Sequence, residues 1–271
     1  MTDDFTYDKV ELEPPRILIY AGEGMGKSTF ASGAPNPIFN STESGLTGLT
    51  NVKRRKINSF DEMMQSIQDL AEKKHDRETF VADSLDWFEP MVWEKVLQTF
   101  PFNEKGKKME SIEDYGYGRG YAEAISFWKE YLEGLEHLRL HRGMTIINIC
   151  HSQVNKFEDP LQDSYDKYTI KLQDSKKTSA AGKLLEYHDA VLFIKDYVGL
   201  KSSKEGFNKE RKRPVGGGER FIYTEQRPGF SAKNRYGLPS EIPFDKEGKY
   251  WGILAEHIPF FNQQKGEVKH G

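Results

Sequence analysis

The stretch AGEGMGKST, residues 21–29, constrains the fold of this chain more than any other feature. Its three glycines lie between the apolar run RILIY (16–20) and a helical pattern that begins at Lys27. Glycines let backbone N–H groups converge on an anion, and the N-terminus of the following helix attracts negative charge. The order of strand, glycine-rich turn, lysine and hydroxyl residue fits a phosphate-binding loop with Ala21 in place of the first glycine.

The residue types in this loop match the needs of a nucleotide and its metal ion. Lys27 has the reach to contact the β and γ phosphate oxygens, and the hydroxyl of Ser28 can ligate Mg²⁺. The loop therefore predicts a nucleotide site. Its predicted nucleotide contacts are Ala21, Gly22, Glu23, Gly24, Met25, Gly26, Lys27, Ser28 and Thr29.

Two carboxylates complete the predicted site. Asp83 ends the apolar run FVAD, where it can hold Mg²⁺ through the water shell of the ion. The alternative is that Asp83 caps the N-terminus of a helix, because Asp-Ser often precedes a helix. Glu43 ends the second strand, beside the phosphate loop if that strand neighbours the first. There a carboxylate can orient and deprotonate the attacking water, whereas the alternative is a surface glutamate in a turn.

Polar residues also follow the fourth strand, whose apolar run MTIINIC is succeeded by His151, Ser152 and Gln153. A polar side chain at this point could sense the γ-phosphate and report it to a nearby loop. We therefore add His151 and Gln153 to the predicted nucleotide contacts. A capping or solvated histidine is the alternative interpretation.

The pattern of elements along the chain predicts an α/β fold. Strands are predicted at 16–20, 37–43, 79–84, 144–150, 189–194 and 220–226. Helices are predicted from residue 27, over 60–71 behind a capping box formed by Ser59 and Glu62, in part of 87–100 near Pro90, and over 121–138. Strands separated by helices indicate a mostly parallel, twisted sheet with helices on both faces.

The composition excludes several classes of protein. With 37% hydrophobic and 30% charged residues and a mean hydropathy of −0.72, the 271 residues are typical of one soluble globular domain. No apolar run approaches the roughly 20 residues that cross a bilayer, and no signal sequence is recognisable, so we expect no membrane partner and a cytoplasmic location. The single cysteine, Cys150, rules out an internal disulfide.

Taken together, the motifs resemble the RecA-like ATPase core, and more closely the small phage-encoded RecA-like ATPases linked to single-strand annealing and recombination. The resemblance covers about residues 14–240, between an N-terminal extension (1–13) and a C-terminal extension (241–271) whose end we expect to be mobile. It rests on AGEGMGKST, STESGL, VADS, DYGYGRGY, CHSQ, HDAVLFI and AKNRYGLP, in this order. The phosphate loop alone is common among nucleotide-binding proteins, whereas the order of all seven motifs is more specific.

The resemblance implies a P-loop NTPase that hydrolyses ATP with Mg²⁺ and assembles on single-stranded DNA as a homo-oligomer, in a filament or a ring. A single-stranded-DNA-binding protein is a further partner that it suggests. The sequence shows no recognisable N-terminal oligomerisation segment or separate C-terminal DNA-binding domain of the recombinases proper. The resemblance therefore does not extend to full strand exchange.

The segment SAKNRYGLP matches the place where RecA-like proteins and ring helicases carry a Lys-x-Arg pair. The match implies that Lys233 and Arg235 reach across a subunit boundary to the γ-phosphate of a neighbouring copy. Positive charge supplied in trans stabilises the transition state and makes hydrolysis depend on assembly. The alternative is a solvated basic turn.

Two segments are predicted to bind the DNA strand. Residues 201–220 contain seven Lys or Arg, three Glu and four glycines, which indicates a mobile basic loop although the whole chain has a net charge of −3. Residues 166–183 combine lysines with small residues. The predicted contacts are Lys171, Lys176, Lys177, Lys201, Lys204, Arg211, Lys212 and Arg213. The alternative is that these are solvated loops whose charges keep the protein soluble.

Two other functions remain open at this point. The phosphate loop also looks like that of small nucleotide and nucleoside kinases, with Arg119 or the segment 201–220 serving as a lid. A nucleotide-binding switch or scaffold without turnover is the second. The carboxylates at Glu43 and Asp83 favour the ATPase over the kinase.

Overall fold

The computed structural model describes residues 11–43, 45, 48–49, 52–103, 106–161, 163–197, 199–204, 210–215, 218–244 and 250–262. Its strands are β1 (Arg16–Ala21), β2 (Pro37–Ser41), β3 (Lys53–Lys56), β4 (Thr79–Asp83), β5 (Thr145–Phe157), β6 (Tyr165–Ile170), β7 (Ala190–Asp196), β8 (Gly199–Lys204), β9 (Glu210–Val215), β10 (Arg220–Tyr223), β11 (Lys233–Asn234) and β12 (Glu241–Pro243). Its helices are α1 (Lys27–Ser32), α2 (Phe60–Glu72), α3 (Leu85–Thr99), α4 (Arg119–Arg142), α5 (Ala180–Tyr187) and α6 (Tyr250–His257), with a 3-10 turn at Ile112–Tyr115.

In the described part of the chain, ten strands form one sheet in the order β12-β10-β7-β1-β5-β4-β2-β3, with β11 beside β7 and β6 beside β5. The neighbouring pairs from β7 to β3 are parallel, and β10, β11 and β12 add an antiparallel edge. The predicted α/β fold with a mostly parallel sheet is therefore confirmed.

Alternation along the strands separates two apolar cores, one on each face of the sheet. In β1, Leu18 and Tyr20 join the core beneath α2, α3, α4 and α5, whereas Ile17 and Ile19 join the core beneath α1 and α6. Both sets of side chains are fully buried. A strand covered on both faces is apolar at every position, which is why RILIY is recognisable as a central parallel strand.

Several boundaries differ from the predicted ones. Helix α3 begins at Leu85 and includes Pro90, so the helix does not start at the proline. Strand β5 does not end before His151 but continues to Phe157, where its polar second half pairs with β6 alone. Polar residues stay in strand conformation there because the hairpin with β6 leaves one side open to solvent.

The segment predicted as a mobile basic loop, 201–220, contains paired strands instead. β8 and β9 form an antiparallel two-stranded sheet in which Lys201 is opposite Arg213 and Lys204 is opposite Glu210. Residues 205–209 and 216–217 lie outside the described part of the chain. Glycines and charges suggested a loop, but backbone pairing across a hairpin depends on register and tolerates polar side chains on both faces.

The C-terminal region contributes to the same core as the phosphate-loop helix. Tyr250, Trp251 and Leu254 of α6 are buried, and the Trp251 ring packs edge-on against Phe30 of α1 at a centroid distance of 5.6 Å. The predicted mobile end, from residue 263 onward, lies outside the described residues, as do residues 1–10 of the N-terminal extension. None of the helices in the described ranges combines the length and apolar character of a membrane span.

Candidate nucleotide-binding site

A cavity of about 750 Å³ opens at the carboxyl ends of the parallel strands. It brings together the phosphate loop, Glu43 from the segment after β2, and His151 from β5, three features that are far apart in the sequence. The described residues that line it are Gly22, Glu23, Gly24, Met25, Gly26, Lys27, Ser28, Thr29, Glu43, Gly45, Gly48, Leu49, Asp86, Trp87, His151, Ser152 and Lys171. Polar groups from separate strands meet here because ligands of open parallel sheets bind beyond the strand ends.

The backbone of the loop needs glycine at two positions. Gly24 and Gly26 have φ angles of 66° and 91°, in the left-handed region that other residues rarely adopt. Gly26 also lies directly before α1, and a Cβ atom there would come within 2.6 Å of the Phe244 ring. The same glycine therefore serves the turn and the close approach of a neighbouring ring.

Lys27 is buried and lies over the loop. Its Nζ donates to the carbonyl of Gly22 at 2.8 Å and to that of Ala21 at 3.3 Å, so Ala21 supports the lysine through its backbone. Burial lowers the pKa of Lys27, although the nearby charge of Asp83 opposes the shift. Because its described hydrogen-bond acceptors are neutral carbonyls, the ammonium can exchange them for phosphate oxygens.

Ser28 and Asp83 form the second element of the site. The Ser28 hydroxyl donates to Oδ2 of Asp83 at 2.7 Å, and Asp83 is 2% exposed. Burial raises the pKa of Asp83, an effect that the hydrogen bond from Ser28 and the charge of Lys27 only partly offset. Ser84, not Asp83, occupies the N-cap position of α3, so the alternative role of Asp83 as a helix cap is not the one its side chain adopts.

These two oxygens suit a hard divalent cation such as Mg²⁺, which prefers oxygen ligands and keeps several waters. Among the described residues, no group of three or more His, Cys, Asp or Glu side chains is arranged to hold a metal ion. A cation held by Ser28 and Asp83 would therefore take its other ligands from phosphate and water oxygens. The residues fit such an ion and do not form an all-protein cage.

Glu43 lines the same cavity, but the premise that placed it there is wrong. β2 does not neighbour β1, because β5 and β4 lie between them. The segment after β2 instead brings Glu43 to the cavity wall. Burial raises the pKa of Glu43, and the charge of Asp83 adds to this shift.

His151 is fixed on the cavity wall by Asp86. The His151 Nδ1 lies 2.9 Å from Oδ2 of Asp86, and the backbone N–H of His151 donates to Oδ1 at 3.0 Å. Burial alone would raise the pKa of Asp86, but the hydrogen bonds from His151 outweigh it and lower the pKa. Gln153, in contrast, donates to the carbonyls of Ile170 and Leu172, both at 3.1 Å, and is not among the described residues that line the cavity.

Seven lining residues were not predicted as nucleotide contacts: Gly45, Gly48, Leu49, Asp86, Trp87, Ser152 and Lys171. Asp86 and the half-exposed Trp87 lie in the first turn of α3, directly after Asp83 and Ser84, a position that could have indicated them. Lys171 was assigned to DNA, yet it lines the nucleotide cavity, and its backbone N–H donates to the His151 carbonyl at 2.8 Å. No local pattern indicates that contact, because it depends on the β5–β6 hairpin.

A second cavity of about 320 Å³ adjoins the first at the phosphate loop. Gly24, Gly26 and Thr29 line both cavities, and Gly218, Arg220, Phe244 and Tyr250 complete the second. The rings of Phe244 and Tyr250 are stacked at 3.7 Å and 13°, and the Arg220 guanidinium lies 5.6 Å from the Phe244 ring. Aromatic and guanidinium surfaces of this kind accept a flat, conjugated group.

Lys233 and Arg235 lie far from the cavity of their own chain. Lys233 pairs with Val191 near the start of β7, at the amino end of the parallel strands, whereas the phosphate loop follows the carboxyl end of β1. The Lys233 Nζ donates to the carbonyls of Leu185 at 3.2 Å and Glu186 at 2.7 Å. The Arg235 side chain is 56% exposed and contacts Asp189 at 3.1 Å.

The predicted DNA contacts are divided among three places. Lys176 and Lys177 are exposed, and Lys176 also lines a groove of about 710 Å³ along the β5–β6 hairpin, whereas Lys171 faces the nucleotide cavity. The same groove holds Lys167, which lies within the predicted segment 166–183, and Lys156 and Phe157, which lie outside it. The side chains of Lys201, Lys204, Arg211, Lys212 and Arg213 lie outside the described part of the structure, which there gives only the backbone.

Comparison with known proteins gives one family. Residues 13–236 match the AAA domain, and because this is most of the chain, the protein belongs to that family. Among solved structures the chain is similar to the crystal structure of the RadB recombinase, with 12% sequence identity and a TM-score of 0.40 over 82% of this chain and 92% of that one. A comparison with curated proteins finds no match.

Proposed function

We propose that this AAA domain protein is an ATPase that binds single-stranded DNA in the presence of ATP and acts in phage DNA recombination or single-strand annealing. The observation that carries the ATPase proposal is the convergence of Lys27, the Ser28–Asp83 pair and Glu43 around one cavity. These groups supply a phosphate cradle, a cation site and a base. The phage setting and a single-stranded-DNA-binding protein as partner rest on the sequence resemblance alone.

The phosphate loop would bind the triphosphate through its backbone N–H groups at the start of α1. Lys27 would leave the carbonyls of Ala21 and Gly22 and donate to the β and γ oxygens, where its positive charge is worth more than in water. A Mg²⁺ ion held by Ser28 and Asp83 would neutralise charge on the same oxygens. The exchange of partners by Lys27 ties nucleotide binding to a local change in the loop.

Glu43 would accept the proton of the attacking water. Burial and the charge of Asp83 raise the pKa of Glu43, which makes it a stronger base than an ordinary surface glutamate. His151, held by Asp86, would lie near the γ-phosphate and pass its state to β5 and the β5–β6 hairpin. Gln153 would act only through this hairpin, because its amide is hydrogen bonded to the backbone at residues 170 and 172.

The second cavity would hold the nucleobase. It continues directly from the phosphate loop, and it presents the Phe244 ring and the Arg220 guanidinium as stacking surfaces. A nucleotide bound across both cavities would contact the loop with its phosphates and these two side chains with its base. Stacking would give affinity for any base without selecting adenine by hydrogen bonds.

The Lys233 and Arg235 pair would act on a neighbouring copy. Since both residues lie at the amino end of the sheet, contact with a phosphate loop requires the amino end of one copy to face the carboxyl end of the next. Such a head-to-tail contact is heterologous and generates a ring or a helical filament. Arg235 is the better placed of the two, because its side chain is 56% exposed although its Nη1 donates to Asp189 at 3.1 Å.

The groove along the β5–β6 hairpin would bind the DNA strand. The Lys167 Nζ lies 4.9 Å from the centre of the Phe157 ring, which is 41% exposed, and Lys156 and Lys176 line the same groove. Single-strand binding without sequence preference typically combines lysines along the nucleic-acid backbone with an aromatic ring on which a base can stack. Because β5 joins the groove to His151, nucleotide binding can alter it.

Phosphate release with and without single-stranded DNA, together with phosphoryl transfer to nucleosides, separates the ATPase from the kinase and from a switch without turnover. Stimulated phosphate release without transfer is expected. Transfer to nucleosides would support the kinase, although Arg119, which begins α4, is not among the described residues lining the cavity.

Lys27→Ala tests the foundation of the proposal. Loss of a charged hydrogen-bonding group should weaken ATP–Mg²⁺ binding by about 100-fold while the fold is kept, since Lys27 hydrogen bonds only to loop carbonyls among the described residues. Calorimetric titration with a non-hydrolysable analogue measures this. Lys129→Ala, an exposed lysine on α4, is the matched control. Unchanged affinity in Lys27→Ala would remove the nucleotide site.

A further inference from the structure

A strongly basic surface lies along the outer edge of the sheet, away from the nucleotide cavity. β3, with the sequence KRRK, is the last strand of the sheet order, and Lys53, Arg54 and Lys56 on it are exposed. Lys73 and Lys74, at the end of α2, are exposed beside it. We call these five residues the basic sheet edge.

The charge of this edge is not balanced by its surroundings. A cavity of about 390 Å³ next to β3 is lined by five cations and one acid, Asp69; the cations are Lys53, Arg55, Lys73, Lys74 and Arg77. Asp69 already pairs with both Arg55 at 2.7 Å and Lys73 at 2.8 Å. Arg77 pairs with Asp76 at 2.6 Å, and the charges of Arg55 and Lys56 act on Glu62. Within the described ranges, Lys53, Arg54, Lys56 and Lys74 make no ion pair, so the edge keeps a positive excess although the whole chain has a net charge of −3.

Protection of an edge strand does not account for this arrangement. Charged side chains on an edge, lysine above all, prevent pairing with other strands, but this purpose does not require cations on a neighbouring helix as well. Here four successive residues of β3 are cationic, and the end of α2 adds two more. Clustered like charges repel one another, and a polyanion would relieve this repulsion.

The shape and composition of the edge favour a nucleic-acid strand over a protein partner. Side chains alternate along a strand, so Lys53 points to one side of the sheet and Arg54 and Lys56 to the other, and the cations extend over about 10 Å. This length exceeds a single phosphate group. In the described part of the chain, none of the exposed large hydrophobic side chains belongs to β3 or α2, whereas protein interfaces centre on apolar or aromatic anchors.

The basic sheet edge is also separate from the nucleotide. β3 lies four strand positions from β1, which is about 19 Å at the usual strand spacing. The cavity beside β3 shares no lining residue with the nucleotide cavity within the described ranges. The two cavities therefore have separate described linings, although the connection before β3 contributes Gly45, Gly48 and Leu49 to the nucleotide cavity.

We propose that the basic sheet edge is a second nucleic-acid site, which binds the phosphate backbone of single-stranded DNA independently of nucleotide. The choice of single-stranded DNA rests on the proposed function, whereas the ATP-independent surface goes beyond it. Together with the ATP-dependent groove on the β5–β6 hairpin, it would let one protein molecule hold two strands.

The triple variant Lys53→Ala/Arg54→Ala/Lys56→Ala tests this proposal. Binding of a fluorescein-labelled oligodeoxythymidine is followed by anisotropy without nucleotide, over a series of salt concentrations. Loss of three phosphate contacts should reduce the slope of log affinity against log salt by about 2. Lys107→Ala/Lys108→Ala/Lys129→Ala removes the same charge from exposed residues elsewhere and should leave the slope unchanged.

The remaining outcomes are decisive in both directions. A wild-type slope in the edge variant, or an equal loss in the control variant, would overturn the proposal. Failure of the proposed function is a different result, because it would abolish the increase in DNA binding caused by ATP. Phe157→Ala/Lys167→Ala should remove that ATP-dependent part and leave the nucleotide-free binding intact.

Discussion

The charged groups at the two ends of strand β1 differ in whether they form ion pairs. At the amino end, Arg16 donates to Asp189 at 2.8 Å and 3.0 Å, and Arg235 and Tyr236 donate to the same carboxylate at 3.1 Å. At the carboxyl end, Lys27 donates to backbone carbonyls, and Glu43 lies near Asp83 in a cavity. Asp189 at the amino end thus forms ion pairs with two arginines, whereas Lys27 and Glu43 at the carboxyl end form no ion pair among the described residues.

The pKa values follow the same division. Burial alone would raise the pKa of Asp189, but the hydrogen bonds and charge of Arg16 lower it from 3.8 to about 2. Burial raises the pKa of Asp83 and of Glu43, and the charge of Lys27, with the hydrogen bond from Ser28 at Asp83, offsets only part of this shift. Perturbed carboxylates in a cleft are typical of functional sites, and compensated ones are typical of structural ion pairs. The comparison therefore separates the groups that stabilise the fold from those available for a ligand.

Arg235→Ala should give the largest effect. It tests whether the amino end of the sheet in one copy contacts the phosphate loop of a neighbouring copy. Charge supplied in trans contributes about 10³-fold or more to hydrolysis in related chemistry, so DNA-stimulated turnover should fall by about that factor while ATP binding persists. Steady-state phosphate release measures the loss. Arg227→Ala, another partly exposed arginine, is the control. Mixing Arg235→Ala with Lys27→Ala should restore some activity, and failure to do so at every ratio would argue against action in trans.

Glu43→Gln comes next and tests the carboxyl end by itself. The amide cannot accept a proton, so turnover should fall by about 100-fold with little change in ATP affinity. Since burial and Asp83 raise the pKa of Glu43, the wild-type rate should decline on acidification at a higher pH than an ordinary glutamate would give. The rate profile from pH 4 to 8 measures both, with Glu130→Gln as control. Wild-type turnover in Glu43→Gln would assign the base to another residue.

Asp189→Asn tests the amino end. Two arginines would lose a buried carboxylate, which should cost about 3 kcal/mol of unfolding free energy. Because the pKa of Asp189 is lowered on folding, its stabilisation is present at neutral pH and is lost as the pH falls from about 4 to about 2. Urea unfolding at pH 7 measures the loss. The control is Asp61→Asn, which breaks an exposed ion pair with Lys95 and should cost less than about 0.5 kcal/mol. An equal loss of unfolding free energy in both variants would contradict a structural role for Asp189.

Glu89→Gln gives the smallest effect and the opposite sign. Glu89 on α3 is 5% exposed, and burial raises its pKa to about 7, although the N–H of Gln173 donates to it. The folded chain therefore binds this proton more tightly than the unfolded one, and stability falls as the pH rises from about 4.5 to about 7. At pH 8 the amide should stabilise the protein by about 2 kcal/mol in urea unfolding. Glu94→Gln, exposed on the same helix, should change nothing, and destabilisation by Glu89→Gln would contradict this account.

Much of the candidate site was predictable because its motifs consist of residues at short, fixed spacings along the chain. The glycine-rich loop, the strand before it and Asp83, the aspartate proposed to hold the metal ion, follow from residues that are neighbours in the chain. The cap of α2 is of the same kind: Ser59 accepts from the backbone N–H of Glu62, three residues away. Such patterns need no knowledge of the rest of the fold, since a turn or a helix end is built from a few consecutive residues.

The sequence by itself therefore determined the α/β class, and it located the glycine-rich loop and the two carboxylates on which the proposed nucleotide site rests. Tertiary structure alone decided which partners meet: His151 with Asp86, Phe244 with Gly26, and Arg16 with Asp189, pairs that lie 65, 218 and 173 residues apart. It also decided that Arg235 lies at the end of the sheet opposite the phosphate loop. Strand order and the path of the connections fix these contacts, and neither is encoded in the spacing of any short segment.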